Sequence, residues 1–151
     1  MNGYPKIFLP ALLSVLVLLW LSGMLLLPSF ALFRLELDTD WLYQEWLMPI
    51  SSGDYRHSLT TFHAITGWLM VWLIGALFTI HLRNHWRRKE NRYSGLVFSL
   101  TWALLALSAL GIYYFGEAMF NLWSSYVHTF LGITLPLFFW WHRHKGRQAV
   151  Q

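Results

Sequence analysis

Four long blocks of apolar residues, separated by short charged segments, constrain this chain more than any other feature of its sequence. The first block, residues 7–33, lies between Lys6 and Arg34 and contains no charged side chain. The other three blocks cover about residues 60–82, 93–116 and 118–142. Each is long enough to cross a bilayer, which takes about 20 residues of helix. None alternates like a barrel strand, so we predict four spanning helices, whose backbone groups bond to one another.

These helices predict an all-α fold, an integral membrane four-helix bundle that forms a single transmembrane domain over residues 1–151. The composition agrees, since 56% of the residues are hydrophobic and only 12% are charged. A signal peptide is the rival interpretation of the first block, because Ser29, Phe30 and Ala31 weakly match a cleavage site. The apolar run is much longer than the apolar h-region of a signal peptide, which has about 7–15 residues, and this favours a retained helix.

The distribution of basic residues predicts the orientation of the helices. Most of the 11 Lys and Arg residues fall before the first block, between the second and third, or after the fourth. These are Lys6, Arg83, Arg87, Arg88, Lys89, Arg92, Arg143, Lys145 and Arg147. Both termini are therefore predicted to be cytoplasmic, in a multi-pass protein of the cell inner (cytoplasmic) membrane.

The predicted outer connection, residues 34–58, is the one sizeable segment outside the membrane. Residues 40–48 within it are predicted to form a short amphipathic helix, capped by Asp40 and stopped by Pro49. Such a helix suits the headgroup region, where tryptophan is favoured. The alternative is a docking surface for a partner protein.

The absence of cysteine narrows the chemistry. It excludes disulfides, thiolate-bound iron–sulfur clusters and covalently attached c-type haem. A metal or haem site must then use His, Met, carboxylates or backbone. The net charge of +4 does not indicate nucleic-acid binding, because the basic residues lie at membrane boundaries rather than on one exposed face.

Four histidines at the ends of the second and fourth blocks are the candidate ligands. His63 and His81 lie eighteen residues apart, which is five full turns, so both project from one face of their helix. His128 and His142 lie fourteen residues apart, within about 40° of one face. The two helices run in the same direction, so His63 and His128 are predicted near the outer surface. His81 and His142 are predicted near the inner surface. Two facing pairs at two depths are what bis-imidazole ligation of two stacked haems requires.

Two glycines accompany the predicted outer pair. Gly67 and Gly132 each follow a histidine by four residues, in His-x-x-x-Gly. A missing side chain one turn from the imidazole leaves room for a porphyrin edge. The alternative is close helix packing, for which membrane proteins often use glycine.

The remaining histidines, and other interpretations of the first four, stay open at this point. His85 is the closest competitor of His81, one turn further along, whereas His57 and His144 are predicted to be solvated. A single histidine near a membrane surface is often only a wetted interfacial residue. One haem, or none, therefore remains an alternative to two. A zinc or di-iron site is disfavoured, because no carboxylate lies at helix depth beside these imidazoles.

The run from His63 to Gly67, followed by His81-Leu-Arg-Asn-His85-Trp86 and then by His128 to Gly132 and His142, resembles a known group. It is similar to the four-helix di-haem cytochromes b, the membrane anchors of respiratory hydrogenase and formate dehydrogenase type, and to related small quinone-reactive cytochromes. The resemblance covers about residues 55–145. It implies that His63 and His128 bind the iron of an outer haem b, and His81 and His142 that of an inner one. It also implies electron exchange between quinone and a redox protein outside the membrane. The sequence departs from the group in having no histidine on its first helix.

The predicted function is thus that of a di-haem b membrane cytochrome subunit, with two non-covalent haems. Electrons would pass across the membrane between a quinone pool and an outer-side (periplasmic) redox subunit. The rival from another class is a non-redox membrane scaffold or assembly subunit. A small transporter that relays protons through His63 and His128 is a third, disfavoured because no carboxylate or lysine lies deep in a helix.

Overall fold

A computed structural model describes residues 5–34, 53–78 and 92–148 of the chain. Three of the features predicted above fall elsewhere. The interfacial helix at residues 40–48, His81 and His85 all lie outside the described residues.

The described residues form four helices. These are α1 (Phe8–Arg34), α2 (Gly53–Leu77), α3 (Arg92–Tyr114) and α4 (Ala118–Gln148). Each is long and apolar enough to cross a membrane. The prediction of an all-α chain with four candidate spanning helices is therefore confirmed for the part that the structure describes.

Two helices extend well beyond their apolar blocks. The helix α2 begins at Gly53, whereas the second block begins near residue 60, and α4 continues to Gln148 rather than ending near residue 142. Hydropathy marks only the part of a helix that suits lipid, and a polar end can remain helical in water. Gly53 itself has a φ of 59°, a left-handed conformation that favours glycine. The first turn of α2 carries Asp54, whose charge complements the positive end of the helix dipole.

The contacts divide the chain into two compact units, Met1–Leu73 and Ile74–Gln151. In the first unit, α1 contacts the middle of α2, and the contacts run in antiparallel order, with Ser22 at His63 and Leu19 near Gly67. In the second unit, α3 packs against α4 along its length. We call the α1–α2 pair hairpin one and the α3–α4 pair hairpin two, and describe each by itself.

Small side chains line the face of α3 that packs against α4. The buried residues of α3 recur about every seven or three to four positions, as one face of a helix requires. They are Ser94, Thr101, Leu105, Ser108 and Gly111. At Gly111 the two helices approach so closely that an added Cβ would collide with Ser124. Close approach at small residues is typical of helices that associate in membranes.

The turn of hairpin two is held by side chains at both of its ends. The Glu117 carboxylate accepts a hydrogen bond from the Phe120 amide (2.8 Å), which caps α4. The Asn121 side-chain amide donates to the Ile112 carbonyl near the end of α3 (2.6 Å). These two bonds satisfy helix-end groups that would otherwise lack partners.

The distribution of buried and exposed side chains is the reverse of that in a water-soluble protein. Among the described residues, most buried side chains are Ser or Thr, and many large apolar side chains are exposed. In α2, for example, Trp68 and Trp72 are 63% and 76% exposed. Such a surface is costly in water and suits contact with lipid tails, in agreement with the membrane class.

Candidate functional site

Three of the four predicted ligands lie within the described residues. His63 is in α2, and His128 and His142 are in α4. All three are half-buried, and each ring contacts the preceding helix of its own hairpin. The fourth, His81, lies outside the described residues.

His63 contacts a serine of α1 through Nδ1. The Ser22 hydroxyl oxygen lies 2.9 Å from His63 Nδ1, and the same hydroxyl donates to the Leu19 carbonyl at 2.9 Å. A hydroxyl has only one proton to give. Because Leu19 O can only accept, both bonds form when His63 Nδ1 carries a proton and donates it to Ser22. The lone pair of the neutral imidazole is then on Nε2.

His128 has the corresponding contact in hairpin two. Its Nδ1 lies 3.0 Å from the Leu105 carbonyl and 3.2 Å from the Ser108 hydroxyl oxygen. Ser108 in turn donates to the Leu105 carbonyl at 3.0 Å. A carbonyl accepts and never donates, so Nδ1 of His128 carries the proton. Its lone pair is also on Nε2.

His142 repeats the contact at the other end of α3. Its Nδ1 lies 3.3 Å from the Ser94 hydroxyl oxygen. The ring also stacks on Phe98, with centroids 5.2 Å apart and planes at 11°. The stack fixes the plane of the imidazole, and the serine is placed to fix which nitrogen faces α3.

Two of these rings lie against a glycine of the neighbouring helix, and at Gly23 the contact leaves little room for a Cβ. A Cβ added at Gly23 would lie 3.1 Å from Cε1 of His63, closer than ordinary van der Waals contact. A Cβ added at Gly95 would lie 3.9 Å from Cε1 of His142. In both cases the glycine directly follows the serine that contacts Nδ1. The imidazole edge formed by Nδ1 and Cε1 therefore rests on a Ser-Gly pair.

The serines and these glycines are functional candidates that the sequence analysis missed. Helices one and three carry no histidine in their apolar blocks, so their sequences offer no candidate ligand. One signal was present, since Ser94 and Ser108 are fourteen residues apart in α3, as are His128 and His142 in α4. In antiparallel helices, equal spacing brings two such pairs together at once.

The glycines that the sequence analysis did single out are not at close helix contacts within the described residues. A Cβ added at Gly67 would meet only Leu19, at 3.8 Å, and one at Gly132 would meet no atom of the described chain within 4 Å. The closest approaches are instead at Gly23 and Gly111. Close packing within a hairpin therefore does not explain Gly67 or Gly132.

The other described histidines have different surroundings. His57 and His144 are exposed, and His144 stacks on Trp140 with centroids 5.6 Å apart. Within residues 5–34, 53–78 and 92–148, no three His, Asp or Glu side chains come together as metal ligands. The described site thus consists of separate imidazoles, each fixed through Nδ1.

This donor set fits a haem iron. A histidine that binds a metal usually donates its other ring N–H to a carbonyl, carboxylate or water, which sets the tautomer and the direction of the ligating nitrogen. His63 and His128 have that arrangement, with the lone pair on Nε2.

Comparison with protein-family models, with characterised proteins and with solved structures found no match to this chain.

Proposed function

We propose that this chain is a membrane cytochrome subunit that holds two non-covalent b haems and passes electrons across the membrane. The observation that supports it best is the fixed Nδ1 contact of each described candidate ligand. Histidine at membrane depth is costly and tends to be functional. Here the neighbouring helices supply acceptors that leave Nε2 of His63 and His128 as the ligating nitrogen.

The pairing of the ligands is taken from their predicted depth. His63 and His128 are assigned to an outer haem, and His81 and His142 to an inner one. Two imidazoles on one iron give a six-coordinate, low-spin centre that rearranges little on reduction. When bound, the haems supply the one-electron chemistry.

The chain's own residues orient the imidazoles and keep water away from them. Ser22, Ser108 and Leu105 hold the outer imidazoles, and Ser94 and Phe98 hold His142. The apolar exterior keeps the helices in lipid, so the imidazoles lie in a medium of low dielectric. The proposed partners are a quinone or quinol and an outer-side redox subunit, in the inner membrane of the cell.

The test is reduction of the purified chain by a quinol. The chain, expressed with ample haem and placed in lipid vesicles, is mixed with a short-chain quinol and followed by visible absorption. We expect the bands of a reduced low-spin b haem to appear. His57→Ala is the matched control, because His57 is exposed in the same helix as His63, and it should behave as wild type. Bound haem that no quinol reduces would contradict the quinone partner. A chain that binds no haem would indicate a scaffold instead.

A further inference from the structure

The pattern Leu-Leu-x-Leu-Ser occurs in both α1 and α3, and in each helix its serine contacts a histidine. Residues 18–22 read Leu-Leu-Trp-Leu-Ser, and residues 104–108 read Leu-Leu-Ala-Leu-Ser. In both, the serine hydroxyl donates to the carbonyl of the leucine three residues earlier. The paired helix brings Nδ1 of a His-x-x-x-Gly histidine to the serine oxygen. We call this arrangement the serine clasp; each hairpin contains one.

The clasp serines are buried at positions where alanine would pack equally well. Ser22 is 3% exposed and Ser108 is 7% exposed. A buried hydroxyl is costly unless it is hydrogen-bonded, and the cost is greater in lipid. Its proton is committed to a backbone carbonyl, so its oxygen can only accept from the imidazole. Alanine would fill the same space, but could not accept.

We propose that Ser22 and Ser108 are positioning residues for the two outer iron ligands. Each holds its imidazole in the Nδ1–H tautomer, directs Nε2 away from the clasp, and raises the electron donation of the ring to the metal. A donated Nδ1–H makes the ligating nitrogen more basic. That favours the oxidised iron and lowers its reduction potential. The iron-directed part of this role rests on the function proposed above.

The two clasps differ in the acceptors that contact the histidine Nδ1. His128 Nδ1 also reaches the Leu105 carbonyl at 3.0 Å, and that acceptor remains when Ser108 is removed. His63 Nδ1 has its 2.9 Å bond with the Ser22 hydroxyl itself. Removing Ser108 should therefore leave part of the His128 tautomer preference in place, because the Leu105 carbonyl still accepts.

The first experiment needs no haem. The full chain, labelled with ¹⁵N-histidine and placed in lipid nanodiscs, is examined by NMR for the tautomers of His63 and His128, which His→Gln variants assign. In wild type, both rings should be predominantly Nδ1–H. Ser22→Ala should move the His63 tautomer ratio about fivefold toward Nε2–H, the effect of one net hydrogen bond. Ser108→Ala should move that of His128 by less than fivefold, because the Leu105 carbonyl still accepts from Nδ1.

The control is Ser125→Ala, because Ser125 is buried but donates to the Asn121 carbonyl of its own helix. It should leave both tautomers unchanged, and helical circular dichroism should be the same in all variants. Unchanged His63 tautomers in a folded Ser22→Ala chain would overturn the positioning role.

The second experiment uses the haem-loaded chain. Ser22→Ala should raise the midpoint potential of the outer haem, and Ser22→Thr, which keeps a hydroxyl, should restore it. A rise that Thr does not reverse, or no change, would overturn the tuning role. If the wild-type chain binds no haem, both the proposed function and the iron-directed role of the serines would be overturned. The tautomer measurement would still decide whether they position the rings.

Discussion

The two hairpins share one histidine contact and differ in a second. Both place a serine clasp on a histidine that begins His-x-x-x-Gly, and both turn Nδ1 toward the preceding helix. Hairpin two adds a second contact fourteen residues away, between His142 and Ser94. The corresponding position in hairpin one, fourteen residues after His63, is Leu77. The contacts of His63 and His128 therefore repeat between the hairpins, whereas the contact of His142 has no counterpart at Leu77.

This difference leaves His81, the predicted ligand that follows α2, outside the repeat. His81 lies four residues beyond Leu77, so the repeat alone would not have predicted it. If the sequence continued as one more turn of regular helix, His81 would lie about 6 Å further along the axis than Leu77, on nearly the same face.

The largest expected effect separates the two depths within hairpin two. His128→Ala should remove the outer low-spin haem, and His142→Ala the inner one, because each removes an axial ligand. Haem content should fall from about two per chain toward one, with a different low-spin signal lost in each variant. Since a five-coordinate haem can remain bound, the spectrum must be recorded together with the haem content. Loss of the same signal in both variants would show that the depths are not separate sites.

The next effect tests the inner ligand of hairpin one. His81→Ala should abolish the inner low-spin signal, whereas His85→Ala should leave both signals intact. His85 lies about 6 Å further along a continued helix, among the basic residues of the predicted cytoplasmic rim. The reverse result would mean that the helix is kinked or unwound between Gly75 and His85.

A smaller effect compares the glycines beside two of the rings. Gly23→Ala should push the His63 ring by a few tenths of an ångström, because its Cβ would lie 3.1 Å from Cε1. We expect a cost of about 1–2 kcal/mol in stability and a broadened low-spin signal. Gly95→Ala, with 3.9 Å to Cε1 of His142, should be neutral or slightly stabilising. Thermal unfolding and spectra of both variants check this, and equal behaviour would contradict the difference in contact.

The smallest effect is at the turn of hairpin two. Glu117→Ala removes the cap from the Phe120 amide and should cost about 1 kcal/mol of stability. Neither low-spin signal should change, because Glu117 lies in the turn and contacts no candidate ligand in the described contacts. A spectral change in this variant would show that the turn positions the ligands.

The sequence predicted the helices well because each apolar block exceeds the length needed to span a membrane. The helices α2 and α4 extend beyond their apolar blocks, because polar turns such as Asp54 to His57 carry no hydropathy signal. The face shared by His63 and His81 follows from helical period alone. The role of Ser22 does not, because a serine in an apolar helix becomes meaningful only when the antiparallel register puts it beside a histidine. Close packing likewise depends on the antiparallel register, which brings Gly23 and Gly111 against the neighbouring helix. The sequence alone had indicated Gly67 and Gly132 instead.

The most direct test of the account is the haem content and visible spectrum of the purified wild-type chain, oxidised and reduced. We predict about two b haems per chain, low-spin in both states. Both should be extractable by acid acetone, because the chain has no cysteine to attach them. A chain expressed with ample haem that contains none would contradict the account. The fixed imidazoles of His63, His128 and His142 would then be structural contacts between helices rather than ligands.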